Sequence, residues 1–233
     1  MISHKRHIGQ HLFNQGHAQM ADFTIIMSFH ETIPQYRLEQ IPATWRITEN
    51  HGRTLLAVHE RDHGDMQLDN HERFRTIRSS RCFYHGNHDL KPFWRDIDLS
   101  SLGTGSIEQQ QLERCLALNG HFLLSAIDEH SFVAVTDAGG AVPLFFSCTD
   151  QRFVAGTNPN LVAILSDCDQ PDPVSINDFL LHGSICHPHS WFKNVYVADP
   201  GTLLTFNCQT GKINSKPYWC PEQSPLQSLA GSL

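Results

Sequence analysis

The chain has 233 residues, 40% hydrophobic and 18% charged, which is ordinary for a globular protein and long enough to bury a sizeable single core. Seventeen basic against twenty-four acidic residues give a net charge of −7 without basic clustering, which argues against nucleic acid as a partner. No apolar run approaches the roughly 18 residues of a membrane span, and the His- and Lys-rich start lacks the apolar segment of a signal peptide, so the expected location is the cytoplasm, with no membrane partner.

In chain order, residues 1–21 carry four histidines and no sustained periodicity, and read as a poorly ordered leader. Met20-Ala21 is a plausible alternative start, because the first strand, at 23–29, begins just after it. From Thr44 to Leu90 short β-like pieces at 45–48, 53–58, 74–77 and 81–84 alternate with breaks at His51-Gly52, His63-Gly64-Asp65 and Gly86-Asn87. Residues 91–105 read as loop. An amphipathic helix follows at 107–119, ended by Asn119-Gly120.

Residues 120–165 form the densest apolar stretch. The runs at 122–127 and 132–135, split by Asp128-Glu129-His130, predict a hairpin, and those at 143–147 and 152–155, split by Thr149-Asp150-Gln151, predict a second. Four consecutive short strands predict an antiparallel meander and an α+β or all-β domain. A short helical stretch comes next, then a helix at 176–182, capped by residues 172–175 and closed by Gly183. Asp199-Pro200-Gly201 turns into a strand at 202–206, and the segment from Pro217 reads as linker or tail.

The seven cysteines, Cys82, Cys115, Cys148, Cys168, Cys186, Cys208 and Cys220, are scattered, odd in number and without a Cys-x-x-Cys pair, which favours reduced thiols over disulfides or a zinc knuckle. His182, Cys186, His187 and His189 are soft ligands in one loop, but Pro188 interrupts them and no fourth ligand group stands at structural-zinc spacing, so no metal site is assigned. Sixteen histidines make the surface charge rise on mild acidification. There is no phosphate loop of the Gly-x-x-x-x-Gly-Lys kind. Asp128, Asp137 and Asp150 fall at strand ends, where carboxylates form turns.

Thr136-Asp137, Gly140, Pro143-Leu144-Phe145-Phe146 and Val154-Ala155-Gly156-Thr157, followed by Phe179-Leu180-Leu181-His182-Gly183, Trp191-Phe192 and Asp199-Pro200-Gly201-Thr202-Leu203-Leu204, resemble in order the landmarks of the N-terminal half of asparagine synthetases. The resemblance runs from about Gly120 to Trp219. It implies the four-layer α-β-β-α sandwich of N-terminal nucleophile hydrolases, an α+β fold of two antiparallel sheets, occupying residues 22–219, with 220–233 a linker or tail toward a synthetase domain. That family hydrolyses glutamine with an N-terminal cysteine whose own α-amine is the base, an amine with a reference pKa of about 7.7–8.0.

This chain starts Met1-Ile2-Ser3 and has its first cysteine at Cys82. A start at Met20 would expose Ala21, and one at Met27 would expose Ser28 at the expense of most of the first strand. By the same resemblance Leu56-Ala57-Val58-His59-Glu60-Arg61 looks like the family's strand ending in His-x-Arg, whose arginine, here Arg61, would hold the substrate carboxylate as a bidentate pair, although a solvated Glu60-Arg61-Asp62 run explains it as well. His85-Gly86-Asn87 stands where the family has the Asn-Gly that supplies its oxyanion donors; Gly86 matches and the side-chain donor does not, and a plain Gly86-Asn87 turn also accounts for the residues. Ser106, in Thr104-Gly105-Ser106, precedes the place of an ammonium-binding aspartate, which is Ile107 here.

The resemblance therefore implies a degenerate glutaminase-like domain of an ATP-dependent amide-forming ligase, structural rather than catalytic, as in β-lactam synthetases and lasso-peptide cyclases, where an internal amine replaces ammonia. ATP and Mg are implied only for the synthetase domain, whose Ser-Gly-Gly-x-Asp-Ser loop does not occur in these residues, so no cofactor is expected in this chain. The implied partner is that synthetase domain or a ligase subunit, with a peptide or small amino-acid-like substrate. The alternatives are an active glutamine-hydrolysing domain after processing, and a non-catalytic docking module for a separate ligase subunit.

Overall fold

The structure, a computed structural model, describes residues 23–29, 32–50, 53–59, 66–70, 74–97 and 107–221. Twelve strands are defined there: β1 (Phe23–Ser28), β2 (Trp45–Asn50), β3 (Thr54–His59), β4 (Met66–Asn70), β5 (Arg75–Tyr84), β6 (Leu118–Ile127), β7 (Ser131–Thr136), β8 (Phe145–Cys148), β9 (Arg152–Gly156), β10 (Tyr196–Val197), β11 (Thr202–Asn207) and β12 (Lys212–Pro217). Five helices accompany them: α1 (Gln35–Leu38), α2 (Lys91–Asp96), α3 (Gln109–Leu116), α4 (Pro159–Leu165) and α5 (Pro173–His182). The strands form two six-stranded sheets, ordered β10-β8-β9-β1-β3-β2 and β12-β11-β7-β6-β5-β4, with every neighbouring pair antiparallel.

Three apolar clusters fix the layers. Phe23, Ile25 and Met27 of β1 meet Ile77, Leu123, Phe132 and Leu204 between the sheets. Ile26, with Leu55, Ala57 and Val154, faces the other way, onto Leu161, Val162 and Leu165 of α4. On the far side Leu124, Ala126, Val133 and Val135 pack on Phe93 and Trp94 of α2 and Cys115 of α3. Successive residues of one strand point to opposite faces, so a stretch covered on both faces reads as a nearly continuous apolar run, as residues 122–127 of β6 and 132–135 of β7 do. The result is the α-β-β-α sandwich expected from the resemblance.

Several elements differ from the sequence reading. The four-strand meander is two hairpins in facing sheets: β6-β7 lies in one and β8-β9 in the other, and residues 137–144 carry the chain across. The pieces expected at 74–77 and 81–84 are a single ten-residue strand, β5, whose polar centre is carried by pairing with β6. The expected loop at 91–105 begins as helix α2, because Pro92 suits a first helical turn and Phe93 and Trp94 have a face of the sheet to bury against. Asn119 and Gly120 do not end a helix but pair within β6, opposite Phe83 and Cys82. Strands β4 and β12 and the short helix α1 went unread because they are polar edges or a single turn.

A stack of phenylalanines sets which ends of the sheets coincide. Phe206 of β11 lies 4.2 Å from Phe153 with the rings 7° from parallel, and Phe29, just past β1, lies 5.5 Å from Phe206. Phe153 also meets Phe132 at 5.4 Å. Burying such a ring stabilises by about 1.5–3 kcal/mol. The last residue of β1 therefore sits over the start of β7 and the end of β11. The registers then place the first residue of β1, the end of β3 and Gly156 at the opposite end, with Asp137 and the turn after β5.

Helix α1 is anchored by its buried Arg37, which donates to Asp167 beyond α4 and, through Nη1, to Gln40 Oε1 at 3.0 Å. Arg152 donates to the same carboxylate at 3.1 Å. The hydrogen bond from Arg37, then its charge and that of Arg152, hold the Asp167 carboxyl below its ordinary 3.8. A carboxyl depressed in the folded state adds stability above its unfolded pKa that is lost as pH falls through the folded one. Asp167→Asn is thus expected to lower the urea midpoint at pH 7 and to make a smaller difference at pH 3, below the ordinary carboxyl value, where part of that stability is already lost.

Candidate functional site

The end of the sandwich where β1 begins is the place to look for the expected site. Phe23 N donates to Thr157 Oγ1 at 3.1 Å, and Thr157 N donates back to Phe23 O at 3.0 Å. Gly156 lies opposite Thr24, and a Cβ there would fall 2.3 Å from Phe23 O and 2.7 Å from Thr24 Oγ1. Phe23 and Thr24 are themselves without exposure. The opening of the strand is therefore closed core, and its backbone nitrogen is an amide already engaged.

Gly86 and Asn87 are at this same end. Tyr84 N donates to Asn87 O at 2.8 Å and Asn87 N to Tyr84 O at 2.9 Å, closing a two-residue turn in which His85 (φ 49°) and Gly86 (φ 77°) are both left-handed. That is the I′ geometry a tight hairpin favours. Nothing lies within 4 Å of a Cβ built on Gly86, so glycine serves the backbone angle and not a close approach. Asn87 Oδ1 accepts from Asp89 N at 3.0 Å. Arg61 and Ser106 lie outside the described residues, and so do residues 1–22. Ser28 is described, at the far end of β1 opposite Arg152, and is not brought near Gly86.

Four of the thiols are held away from the nucleophilic thiolate by burial. Burial pushes Cys82 and Cys115 up to about 12. It also raises Cys148 and Cys208, the latter with its Sγ 4.0 Å from His130 Nδ1. A reactive cysteine needs the opposite shift. All seven cysteines are free. In the His182–His189 loop, His187 Nδ1 stands 3.3 Å from Asp199 Oδ1, and no group of three or more His, Cys, Asp or Glu converges as metal ligands among the described residues.

The buried acidic group at this end is Asp137, 1% exposed. Its carboxylate accepts from Phe122 N at 3.2 Å, Gly139 N at 2.8 Å and Ala141 N at 3.0 Å, while its carbonyl accepts from Gly140 N at 3.1 Å and Gly201 N at 2.9 Å. Tyr218 Oη donates to Thr136 O at 2.7 Å beside it. Asp137 is saturated by backbone donors and tethers the crossover between the sheets. The turn role read from the sequence holds for it, and for Asp128, whose Oδ1 accepts from His130 N and Ser131 N at 2.7 and 2.6 Å.

No family model matches this chain, and no curated protein matches it. Solved structures similar to it include glutamine phosphoribosylpyrophosphate amidotransferase from B. subtilis complexed with ADP and GMP, at 12% identity and a TM-score of 0.43, covering 85% of this chain and 49% of that one. A structure described as the allosteric regulatory enzyme of purine biosynthesis is similar at 11% identity and a TM-score of 0.38, covering 86% of this chain and 43% of that one. The chain spans less than half the length of either. Among the described residues no helix is long and apolar enough to cross a membrane.

Proposed function

We propose that this chain is a glutamine-amidotransferase-like domain that has kept the sandwich and lost the hydrolysis, acting as the structural N-terminal part of an ATP-dependent amide-forming ligase related to asparagine synthetases, β-lactam synthetases or lasso-peptide cyclases. What supports this most is the opening of β1. The first described residues of β1, Phe23 and Thr24, are sealed in the core and Phe23 N is hydrogen-bonded to Thr157, so this stretch of the strand presents neither a thiol nor a free amine. At the same end of the sandwich, the backbone N–H and C=O of Asn87 are taken up by Tyr84 in the hairpin turn. ATP and Mg would belong to the synthetase partner, which adenylates a carboxylate that an internal amine then attacks.

The test is glutamate release from glutamine by the purified chain. No turnover above the protein-free rate is expected, at any pH from 6 to 9. Saturable glutaminase activity that Ser28→Ala abolishes would replace this proposal with the processed, active domain.

The docking-module reading draws on α5. Its N-cap Asp172 accepts from Val174 N and its end is turned by Gly183 at φ 74°, yet Leu180 and Leu181 are 74% and 77% exposed and Val174 is exposed beside them. Exposed apolar clusters mark interaction surfaces, and the occupant this reading assigns is the adenylating ligase subunit or domain. Co-purification with such a subunit, lost in a Leu180→Glu, Leu181→Glu variant, is the expected result.

A further inference from the structure

At the end of β1 away from Gly86, a cavity of about 210 Å³ opens among Ile26, Ser28, Ile33, Tyr36, Arg37 and Arg152. Two guanidiniums line it, and both are poorly solvated: the Arg37 side chain is 5% exposed and that of Arg152 12%. Among the described residues Asp167 is the sole carboxylate paired with either, so that two guanidiniums there share one carboxylate, with the Tyr36 ring 4.8 Å from Arg37. Buried charge of this kind is costly unless something answers it.

The donors are also incompletely used. Arg37 Nη1 donates to Gln40 Oε1 and Ile164 O, and Nη2 to Asp167, while Nε, out of contact with solvent, has no hydrogen-bond partner. Arg152 donates through Nη1 to Leu165 O at 3.2 Å and to Asp167, and through Nη2 to Gln151 Oε1 at 2.8 Å. A guanidinium has five N–H groups in a planar fork, so Nη2 of each keeps one N–H for a further oxygen, while Arg37 Nε is sealed away from the cavity. Ser28 and Thr32 add hydroxyls to the lining, and Ile26, Ile33 and Pro34 an apolar wall.

We propose that this cavity is a binding site for a small carboxylate, whose oxygens meet the Arg37–Arg152 pair and whose short carbon chain lies on Ile26, Ile33 and Pro34. Two guanidiniums sharing one carboxylate suit a monoanion better than a phosphate dianion, and planar carboxylate oxygens match the guanidinium fork. The volume is below the ~300–1,000 Å³ of pockets for drug-sized ligands, which limits the ligand to a short acid or a single acidic side chain. The site lies at the opposite end of the sandwich from the Gly86-Asn87 hairpin, so it stands independently of the amidotransferase reading.

Titration calorimetry at constant ionic strength, with butyrate, N-acetyl-glutamyl amide, inorganic phosphate and chloride as separate probes, decides it. Saturable binding of butyrate or the glutamyl amide is expected, weakened at least tenfold by Arg152→Gln and by Thr32→Trp, which fills the mouth from an exposed position and serves as the second variant should Arg152→Gln fold poorly. Preference for butyrate would assign a free acid, and preference for the glutamyl amide an acidic side chain of a protein. The proposal fails if no carboxylate binds saturably, if phosphate or chloride binds as tightly, or if a folded variant of either kind binds like the wild type.

Discussion

Replacing Gly156 by alanine is expected to destabilise the protein by about 3 kcal/mol or more, at the upper end of what overpacking costs. The Cβ would sit 2.3 Å from Phe23 O and 2.9 Å from Thr24 Cα, both of them main-chain atoms. A flexible side chain could swing away, but here β1 itself would have to move. β1 is flanked by β9 and β3 in the centre of its sheet, and it contributes Phe23, Ile25 and Met27 to the inner core. Moving it therefore opens two hydrogen-bonded ladders and the packing between the sheets. For a chain of this size about 3 kcal/mol corresponds to a fall in Tm of about 6–12 °C.

Gly183→Ala is the control. Nothing lies within 4 Å of a Cβ there, and the cost is that of a left-handed φ of 74°, about 1 kcal/mol. If differential scanning calorimetry finds Gly156→Ala no worse than Gly183→Ala, the close approach of β9 to the start of β1 is not a constraint of the fold.

Gly156 also marks the limit of what could be read in the residues. The apolar run at 152–155 was legible as a strand, and the hairpin turns at Asp128 and Asp150 were legible because their chemistry is local. Which sheet each hairpin joins was not legible. β7 and β8 are both short, both apolar and separated by a glycine turn, and a hairpin connection and a crossover between sheets look alike until Asp137 is seen to reach Phe122 N. Helix α2 was hidden for a related reason: six residues with Pro at the start give no periodicity, and the helix exists because Phe93 and Trp94 find Cys115, Tyr84 and Leu124 to cover. Of the candidate site, the turn character of Gly86-Asn87 was legible as local chemistry, while its position at the same end as Phe23 depends on a ten-residue strand that the sequence divides in two. The Arg37–Asp167–Arg152 cluster joins residues 15 and 130 apart in sequence, and no spacing rule reaches that far.

Asp137→Ala is expected to cost about 3–5 kcal/mol, with Asp137→Asn roughly half as harmful. Hydrogen bonds to a charged group are worth about 1.5–3 kcal/mol each, and the carboxylate makes three, which act on one loop and so do not add in full. Alanine leaves the amides of Phe122, Gly139 and Ala141 without this acceptor. Asparagine can present one oxygen to Phe122 N and Ala141 N, where Oδ2 now sits, but it then turns an NH2 group against Gly139 N. The strain is transmitted further because Gly140, at φ 63°, packs so closely on Pro200 that a Cβ would stand 3.0 Å from its Cγ, and Gly201 N donates to the carbonyl of Asp137. Loosening Asp137 should therefore release residues 138–144 and 199–202 together. Urea unfolding of the two variants measures the cost, and hydrogen exchange on Asp137→Asn measures the coupling. Faster exchange in both segments, with β8 and β9 still protected, is the result that makes this carboxylate the tie between the sheets. An alanine variant within about 1 kcal/mol of wild type would mean that packing alone holds the crossover.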